Sequence, residues 1–444
     1  MRGREAMWEQ KVTEKIKIEV MKKKILPVAV AVMVSLTSCG TSKKAQGSKS
    51  VKANMEATKT DRVVDEGFLV LTDEQRKMIE GSNEFALDLF CRVAGFDSKV
   101  ISPMSVSYLM GMLANGADGE TRQEILTAMG CKGVSLEQLN EFYAEMIRCV
   151  GNFDKTTTIN IANYVALNKQ YKLKAAFAQT MKETYGAGIE SLDFASPATA
   201  KHINQWCSKH TDGMIPSIID STDSDAVSYI MNAIYFNGTW SGKFDRSQTE
   251  LENFQGYTRD IKKVQMMHRN AKYMYMDNDT FAAVGIPYGN GACKMMVLLP
   301  NQGKSVGEML KSLDAKTLAE LGGKMDNCIV DLKLPRFTTE IEQPLNEVIG
   351  KLGAPSMFTS GANFSNFADG NLFVSKMFQK AKIEVDEEGT KAAAVTVAAM
   401  ALSAFRPEEP RRVEFHADRP FVYMITEEST GAILFMGQFT GSEL

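Results

Sequence analysis

Several residue patterns that mark common protein classes are missing or rare in this chain of 444 residues. Lysine plus arginine (51) nearly balance aspartate plus glutamate (54), so no basic excess favours a nucleic-acid partner and no acidic tail favours a basic one. The four histidines form no H-E-x-x-H motif, and no cysteine–histidine spacing is typical of a zinc site. We therefore expect no metal, no cofactor and no nucleic acid.

The seven cysteines include no C-x-x-C pair, and six of them are scattered between Cys91 and Cys328. Several stand in apolar surroundings, so buried free thiols are favoured over a disulfide framework. The chain also shows no internal repeat and no proline- or glycine-rich linker after residue 70. With a hydrophobic content of 44%, we predict one large domain over residues 71–444, and we expect a monomer.

The beginning of the chain has a short apolar run, Ile25–Leu36, which follows Lys22-Lys23-Lys24 and leads into Leu36–Cys39. This order is typical of a cleaved secretory signal, and its end resembles a bacterial lipobox, in which Cys39 would be lipidated. An unlipidated signal that ends at a free cysteine is the alternative. The signal is predicted over residues 1–39. Because residues 1–20 are charged, Met21 is favoured over Met1 as the start of translation.

Residues 40–70 are rich in Ser, Lys, Thr and Ala without apolar periodicity, which predicts a flexible tether that reaches roughly 30 Å. We expect a bacterial protein that crosses the inner membrane and stays lipid-anchored, on the cell surface or on the periplasmic side of the outer membrane. The lipid would be its sole membrane contact.

Helical patterns dominate the first half of the chain and strand-like runs the second, which predicts an α+β architecture. The predicted helices are Asp73–Cys91, Ser102–Ala114, Glu120–Met129, Ser135–Val150 and Pro197–Lys209. The predicted strands are Thr158–Ala166, Val227–Phe236, Lys294–Leu299, Ile329–Leu334, Leu372–Val385 and Phe421–Ile425.

Gly303–Gly307 matches the G-x-S-x-G motif of serine hydrolases and is the best enzymatic candidate. A nucleophile elbow needs its serine at the end of a strand, whereas Pro300-Asn301-Gln302 separates Ser305 from the strand-like run before it. We therefore expect a strand-to-helix loop there, and no catalytic residues.

The most informative segment is Glu387–Ala399, which has two acids, a glycine and then small uncharged residues interrupted only by Lys391. Alanine favours a helix or a solvated loop, whereas valine and threonine favour a strand. In a strand, alternate residues share a face, and Lys391 would lie opposite the small ones. That small-residue face would hold Thr390, Ala392, Ala394 and Thr396. An ordinary edge strand or helix is the alternative interpretation.

The remaining motifs occur in a fixed order along the chain. They are Ile101–Ala117, Asn204 with Trp206, Thr211–Ile215, Asn232–Trp240, Leu334–Phe337, Leu345-Asn346, Leu352-Gly353, Asp418–Phe421 and Leu434–Gly437. Together with the segment above, they make the chain from about Leu71 to Leu444 resemble the serpins, a family of metastable protease inhibitors. The resemblance implies helices packed around three β-sheets, with an exposed reactive-centre loop.

The resemblance also implies roles for individual residues. The hinge, which inserts into the central sheet after loop cleavage, would comprise Glu387, Glu388, Gly389, Thr390, Ala392, Ala393 and Ala394. The polar cluster beneath the opening strands, called the shutter, together with the breach above it, would comprise Ser102, Ser105, Asn232, Trp240 and Gln379. Gln379 stands where the family usually has histidine, and glutamine can both donate and accept a hydrogen bond.

The expected function is a suicide-substrate inhibitor that traps a serine protease, or a papain-like cysteine protease, as a covalent acyl-enzyme. Counting from the first hinge acid in the family's usual way puts the reactive bond at Ser403–Ala404, with Leu402 and Phe405 as alternative baits. These side chains favour elastase- or subtilisin-like targets, with chymotrypsin-like enzymes possible at the alternative baits. Counting back from the next strand gives Arg406 instead, but Pro407 follows it. A non-inhibitory binding or surface module on the same fold is the alternative.

Overall fold

The computed structural model describes residues 71–150, 155–257, 260–390 and 410–441, which belong to one compact unit. Its helices are α1 Asp73–Val93, α2 Pro103–Gly116, α3 Gly119–Ala128, α4 Leu136–Val150, α5 Ala175–Tyr185, α6 Ala198–His210, α7 Val306–Lys311, α8 Ala315–Lys324 and α9 Asn346–Lys351. Within this part of the chain, no helix combines the length and the apolar character needed to cross a membrane.

The strands are β1 Lys99–Ile101, β2 Thr157–Asn168, β3 Gly188–Leu192, β4 Ser228–Thr239, β5 Glu250–Gln255, β6 Ile261–Asp277, β7 Phe281–Tyr288, β8 Cys293–Pro300, β9 Asp326–Pro335, β10 Phe337–Pro344, β11 Lys376–Val385, β12 Gly389–Thr390, β13 Arg412–His416, β14 Phe421–Glu427 and β15 Ile433–Phe439. Helices in the first half and strands in the second confirm the predicted α+β class. The strand predicted to start at Leu372 begins four residues later, at Lys376.

The central sheet has six strands in the order β10-β11-β4-β2-β3, with β12 paired to β4. Strand β4 is antiparallel to β2 but parallel to β11, so the sheet changes its pairing mode at the β4–β11 boundary. This boundary is the place where one further strand, antiparallel to both neighbours, would fit.

The second sheet runs β1-β15-β14-β8-β7-β6-β9-β13, with β5 on β6. The 17-residue strand β6 pairs with β5 near its start and with β7 near its end, and with β9 between. The two smaller of the three expected sheets are therefore continuous through β6 in a single hydrogen-bonded network.

Helix α2 lies behind the central sheet and is buried along almost its whole length. Its sequence is apolar on all sides, as expected of a helix enclosed by a core. Ser102 caps its first turn by accepting a hydrogen bond from the Ser105 amide, and Pro103 occupies the first helical position, where no donor is needed. On the other face of the sheet, Ile203 and Cys207 of α6 pack against residues of β2 and β4.

Candidate functional site

The two central strands β4 and β11 are paired along only part of their length. Residues Lys376–Lys382 of β11 pair with Tyr229–Tyr235 of β4, and above this stretch the two strands separate. The chain then returns to β4 as the short strand β12, in which Gly389 pairs with Thr239 and Thr390 pairs with Gly238. This opening is where the predicted hinge residues meet the central sheet.

A tight turn brings the chain from β11 to β12. The Asp386 side chain accepts hydrogen bonds from the amides of Glu388 (2.9 Å) and Gly389 (3.2 Å), while the Asp386 amide donates to the Gly389 carbonyl (2.8 Å). Gly389 has φ +150°, and a Cβ atom there would lie 2.1 Å from the Gly238 carbonyl oxygen. Only glycine allows the backbones of β12 and β4 to approach this closely.

Glu387 is fully buried and binds the neighbouring elements through its carboxylate. It accepts a hydrogen bond from Thr249 (2.7 Å) and another from the Arg336 guanidinium, and Arg246 lies 4.0 Å from its second oxygen. Burial raises the pKa of Glu387, but the hydrogen bonds from Arg336 and Thr249 outweigh it and hold the pKa below its usual range. The first hinge acid is therefore a charged anchor.

Glu388 and Trp240 also hold the turn between β11 and β12 in place. Glu388 forms an ion pair with Lys243, 2.5 Å away. The Trp240 amide donates to the Glu388 carbonyl (3.0 Å), and the indole Nε1 donates to the Asp386 carbonyl (2.9 Å). The indole also stacks on Tyr288 with a ring-centroid distance of 4.3 Å.

Thr390 is fully buried, and its side chain points toward the inner face of the sheet. Its hydroxyl lies 2.9 Å from the Tyr288 hydroxyl, beneath the Trp240 ring. Burial raises the pKa of Tyr288 well above its usual range, partly offset by the hydrogen bond with Thr390, so the phenol is a neutral partner. The first inward hinge residue thus already occupies a strand position in the uncleaved chain.

The predicted shutter residues lie together below the opening, on the inner face. Gln379 accepts from the Ser102 amide (2.8 Å) and donates from Nε2 to the Ser102 carbonyl (3.1 Å) and to Asn232 Oδ1 (2.7 Å). The Ser102 hydroxyl donates to the Leu434 carbonyl (2.6 Å), which ties the start of α2 to β15. Glutamine therefore completes the network without a titrating group.

The network extends through the side chain of Asn232. Its Nδ2 donates to the Ser105 hydroxyl (2.5 Å) and to Asn163 Oδ1 (2.9 Å) on β2. All of these residues are buried, so each hydrogen bond satisfies a group that water cannot reach. Asn163 was missed by sequence reasoning, although an asparagine within the buried strand β2 is a signal that could have found it.

The sequence model of the family described as Serpin (serine protease inhibitor) matches residues 80–441. The chain belongs to the serpin family. The serpin of Arabidopsis thaliana called Serpin-Z10 is 31% identical over 385 residues, covering 82% of this chain and 98% of its own. The leukocyte elastase inhibitor of Homo sapiens is 31% identical over 381 residues, covering 82% of this chain and 99% of its own.

Two solved serpin structures are similar along most of the fold. The thermophilic serpin tengpin in its native state has a TM-score of 0.75 at 27% identity, covering 84% of this chain and 95% of its own. Human thyroxine-binding globulin with bound thyroxine has a TM-score of 0.74 at 25% identity, covering 82% of this chain and 98% of its own. Serpins are thus inhibitors or binding proteins, and not enzymes.

The enzymatic candidate of the sequence has a structural role in this serpin. Ser305 caps helix α7 in a capping box, accepting from the Glu308 amide (3.1 Å) while Glu308 accepts from the Ser305 amide (2.8 Å). The described ranges contain no group of three His, Cys, Asp or Glu residues arranged to hold a metal ion. His268 and His416 instead bind Asp331 between them, at 2.5 and 3.2 Å.

Several predicted serpin residues fall outside the described ranges. They are the lipidation site Cys39, the hinge alanines Ala392, Ala393 and Ala394, the reactive-bond residues Ser403 and Ala404, and the alternative baits Leu402 and Phe405. Their assignments stay predictions. Among the described hinge residues, the structure brings Glu387, Glu388, Gly389 and Thr390 together with Trp240, while Gln379, Ser102, Ser105 and Asn232 form the separate cluster below.

Proposed function

We propose that this serpin inhibits a serine protease as a suicide substrate. The supporting observation is strand β12. Gly389 and Thr390 already pair with β4 at the top of the opening, so loop cleavage would only need to extend an existing strand. Extending a strand that is already paired would avoid part of the entropy cost of bringing the hinge to β4.

The chemical step would take place in the protease. Its serine hydroxyl attacks the carbonyl carbon of Ser403, the peptide bond to Ala404 breaks, and the proton passes through the protease's histidine to the departing Ala404 amine. The loop then remains attached to the protease through an ester. Insertion of the loop would move the ester away from the oxyanion hole of the protease. Water could then no longer hydrolyse the ester.

The register of β12 indicates how the cleaved loop would enter. If the antiparallel pairing of Gly389 with Thr239 continues, Ala392 comes opposite Phe236, and Thr396 comes opposite Asn232. Even-numbered loop residues would then face the core and odd-numbered residues the side of α6. The inward residues Ala392, Ala394, Thr396 and Ala398 are small and uncharged, so their burial needs no compensating ion pair.

The target class follows from the bait residues and from one relative. Ser403, preceded by Leu402, fits the small specificity pocket of elastase- or subtilisin-like proteases. The leukocyte elastase inhibitor is named for such a target. Leu402 and Phe405 would also serve chymotrypsin-like or papain-like enzymes, so trapping of more than one class is expected.

The direct test is to mix the full chain with pancreatic elastase and, separately, with subtilisin, chymotrypsin and papain. A complex that survives boiling in SDS and shifts in mass by one protease minus the released fragment is the expected result. Cleavage without such a complex across all four enzymes would favour a serpin that only binds its partner.

A pair of hinge variants tests the insertion step. Thr390→Arg places a charge on the buried inward face, so it should increase the number of inhibitor molecules consumed per trapped protease by at least about tenfold. Lys391→Arg keeps the charge on the opposite face and should consume about as many as the wild type. Equal values for the two variants would show that the assignment of the faces is wrong.

We propose as well that the chain is a secreted lipoprotein anchored through Cys39, with residues 40–70 as the tether. The support is the Leu36–Cys39 sequence after a basic and apolar run. Cys39→Ser should move the protein from the membrane fraction to the soluble fraction. A wild-type protein that is already soluble in the periplasm or the medium would overturn the anchor.

A further inference from the structure

At the β4–β11 opening, the central sheet has one face toward the core and a second face toward helix α6. On β4, Phe236 points into the core, whereas Ala233 packs with residues of α6 on the other side. Tyr235 and Asn237 share the parity of Ala233, so their side chains lie on the α6 side. On β11, Ile383 points into the core, which puts Glu384 on the α6 side as well.

Three acidic residues act electrostatically on the Tyr235 phenol. Burial raises the pKa of Tyr235, and the charges of Glu384, Asp386 and Asp212 raise it further. Asp212 follows α6 and accepts a hydrogen bond from Asn160 (2.6 Å), which faces Tyr235 on the neighbouring strand. The Asn160 contact places Asp212 beside the Tyr235 position, and strand parity places Glu384 on the same face of the sheet.

One cation partly balances this group. Lys382 lies 2.9 Å from Glu384 and 3.7 Å from Glu340 on β10. Lys382 is therefore shared between two acids. We call Asp212, Tyr235, Asn237, Glu384 and Asp386 the acidic slot.

Two buried polar atoms of the acidic slot have no hydrogen-bond partner among the described residues. They are the Tyr235 hydroxyl and Asn237 Oδ1. Tyr235 is only 3% exposed, so its hydroxyl is shielded from bulk solvent. A buried polar atom without a partner is costly, so the slot favours a further hydrogen-bond donor.

The next residue of the hinge carries such a donor. Lys391 follows Thr390 directly, and in the β12 register it would come opposite Asn237. Because Thr390 points to the core, Lys391 would point to the α6 side, where the acidic slot lies. We propose that the acidic slot is the binding site for the Lys391 ammonium group, and that their attraction drives the first step of hinge insertion.

This inference rests on the proposed function and adds a specific electrostatic step to it. The ammonium group supplies three donors and one positive charge, whereas the slot offers carboxylates and two unpaired oxygens. Binding in the acidic slot would order Lys391. It would also fix the strand register of the loop residues that follow Lys391. A hinge with an acid at this position would be repelled by the same slot.

The test compares charge variants by two measurements: the gain in melting temperature after loop cleavage, and the number of inhibitor molecules consumed per trapped protease. Lys391→Glu should reduce the gain and raise the consumption by about two- to fivefold at low ionic strength. Lys391→Arg should retain the wild-type values because it keeps the charge. Glu384→Lys combined with Lys391→Glu should recover part of the loss.

Glu384→Gln and Glu340→Gln form a matched pair on the same face of the sheet. Both carboxylates are near Lys382, but only Glu384 borders the opening, so only Glu384→Gln should reduce the gain. If Lys391→Glu and Lys391→Arg show the same gain in melting temperature and the same consumption per trapped protease, the proposed binding of Lys391 in the acidic slot is wrong. The proposed inhibitor function would still stand. A wild-type protein that gains no stability on cleavage and traps no protease would overturn both.

Discussion

Gln379 Nε2 lies 2.7 Å from Asn232 Oδ1, and this hydrogen bond crosses the boundary between β11 and β4. The two residues are register partners in the parallel pair, and both are buried. A strand that enters between β4 and β11 must separate them. Under the proposed mechanism, the bond would stabilise the closed sheet and would be lost on insertion, so it would oppose opening before cleavage.

We predict that Gln379→Leu destabilises the intact protein more than the cleaved protein. In the intact protein the substitution leaves Asn232 Oδ1 and the Ser102 amide unpaired, which should cost about 3 kcal/mol in the free energy of unfolding. The cleaved form has already lost the Asn232 contact, so its loss should be smaller. Urea unfolding of both forms measures the difference.

Gln343→Leu is the control, because Gln343 is the register partner of Gln379 on β10 and its side chain donates to the neighbouring Pro344 carbonyl. Its effect should stay within about 0.5 kcal/mol. Equal losses in the intact and cleaved forms of Gln379→Leu would contradict the proposed role of the bond.

The proximity of Ser102, Ser105, Asn232 and Gln379 was predictable from the sequence because they lie in recognisable motifs, whereas the contacts of Glu387 were not. Its partners Arg336 and Thr249 are 51 and 138 residues away along the chain, and no local pattern connects them. Helix α1 was predictable from its capping box and apolar period. Strand β5 was missed because most of its residues are polar and exposed, as suits an edge strand.

Acid should weaken the anchoring of the hinge through Glu387. Its folded-state pKa is below the usual value, so its contribution to stability is fully present above the unfolded-state pKa and is lost as the pH falls through the folded-state pKa. We predict that Glu387→Gln costs about 2 kcal/mol at pH 7. The difference from the wild type should shrink progressively below about pH 4.

Urea unfolding at intervals between pH 7 and pH 3 measures this difference, with the exposed Glu342 changed to Gln as the control. Glu342→Gln should stay within about 0.5 kcal/mol of the wild type at pH 7. A constant gap between wild type and Glu387→Gln at every pH would show that Glu387 acts through packing and not through its charge.

Gly389→Ala should displace β12 from β4. A methyl group there meets the Gly238 carbonyl, and the positive φ adds strain, so the pairing of Gly389 and Thr390 with β4 should be lost. Faster hydrogen exchange around Trp240, together with slower protease trapping, is the expected result. Gly95→Ala is the control, because no atom lies within 4 Å of its added Cβ. Unchanged exchange at Trp240 would contradict the assignment of β12.

The last prediction concerns the reactive bond. Strand β12 covers Gly389–Thr390 and β13 covers Arg412–His416, and the proposed bait falls between them in the sequence. In the β12 register, Met400 would come opposite Ser228, the first residue of β4, so residues 391–400 would fill the opening over roughly 33 Å. Cleavage after Ser403 leaves three residues beyond that end, enough to carry the ester clear of the sheet.

Sequencing the fragment released from the trapped elastase complex reads the bond directly. A fragment that begins at Ala404 is expected, and one that begins at Ser403 or Arg406 from a chymotrypsin complex would identify Leu402 or Phe405 as the alternative bait. Cleavage after Arg406 is disfavoured because Pro407 follows it. A fragment that begins at Pro407 or later would contradict the count from Glu387 and would mean that at least three more residues follow the inserted strand.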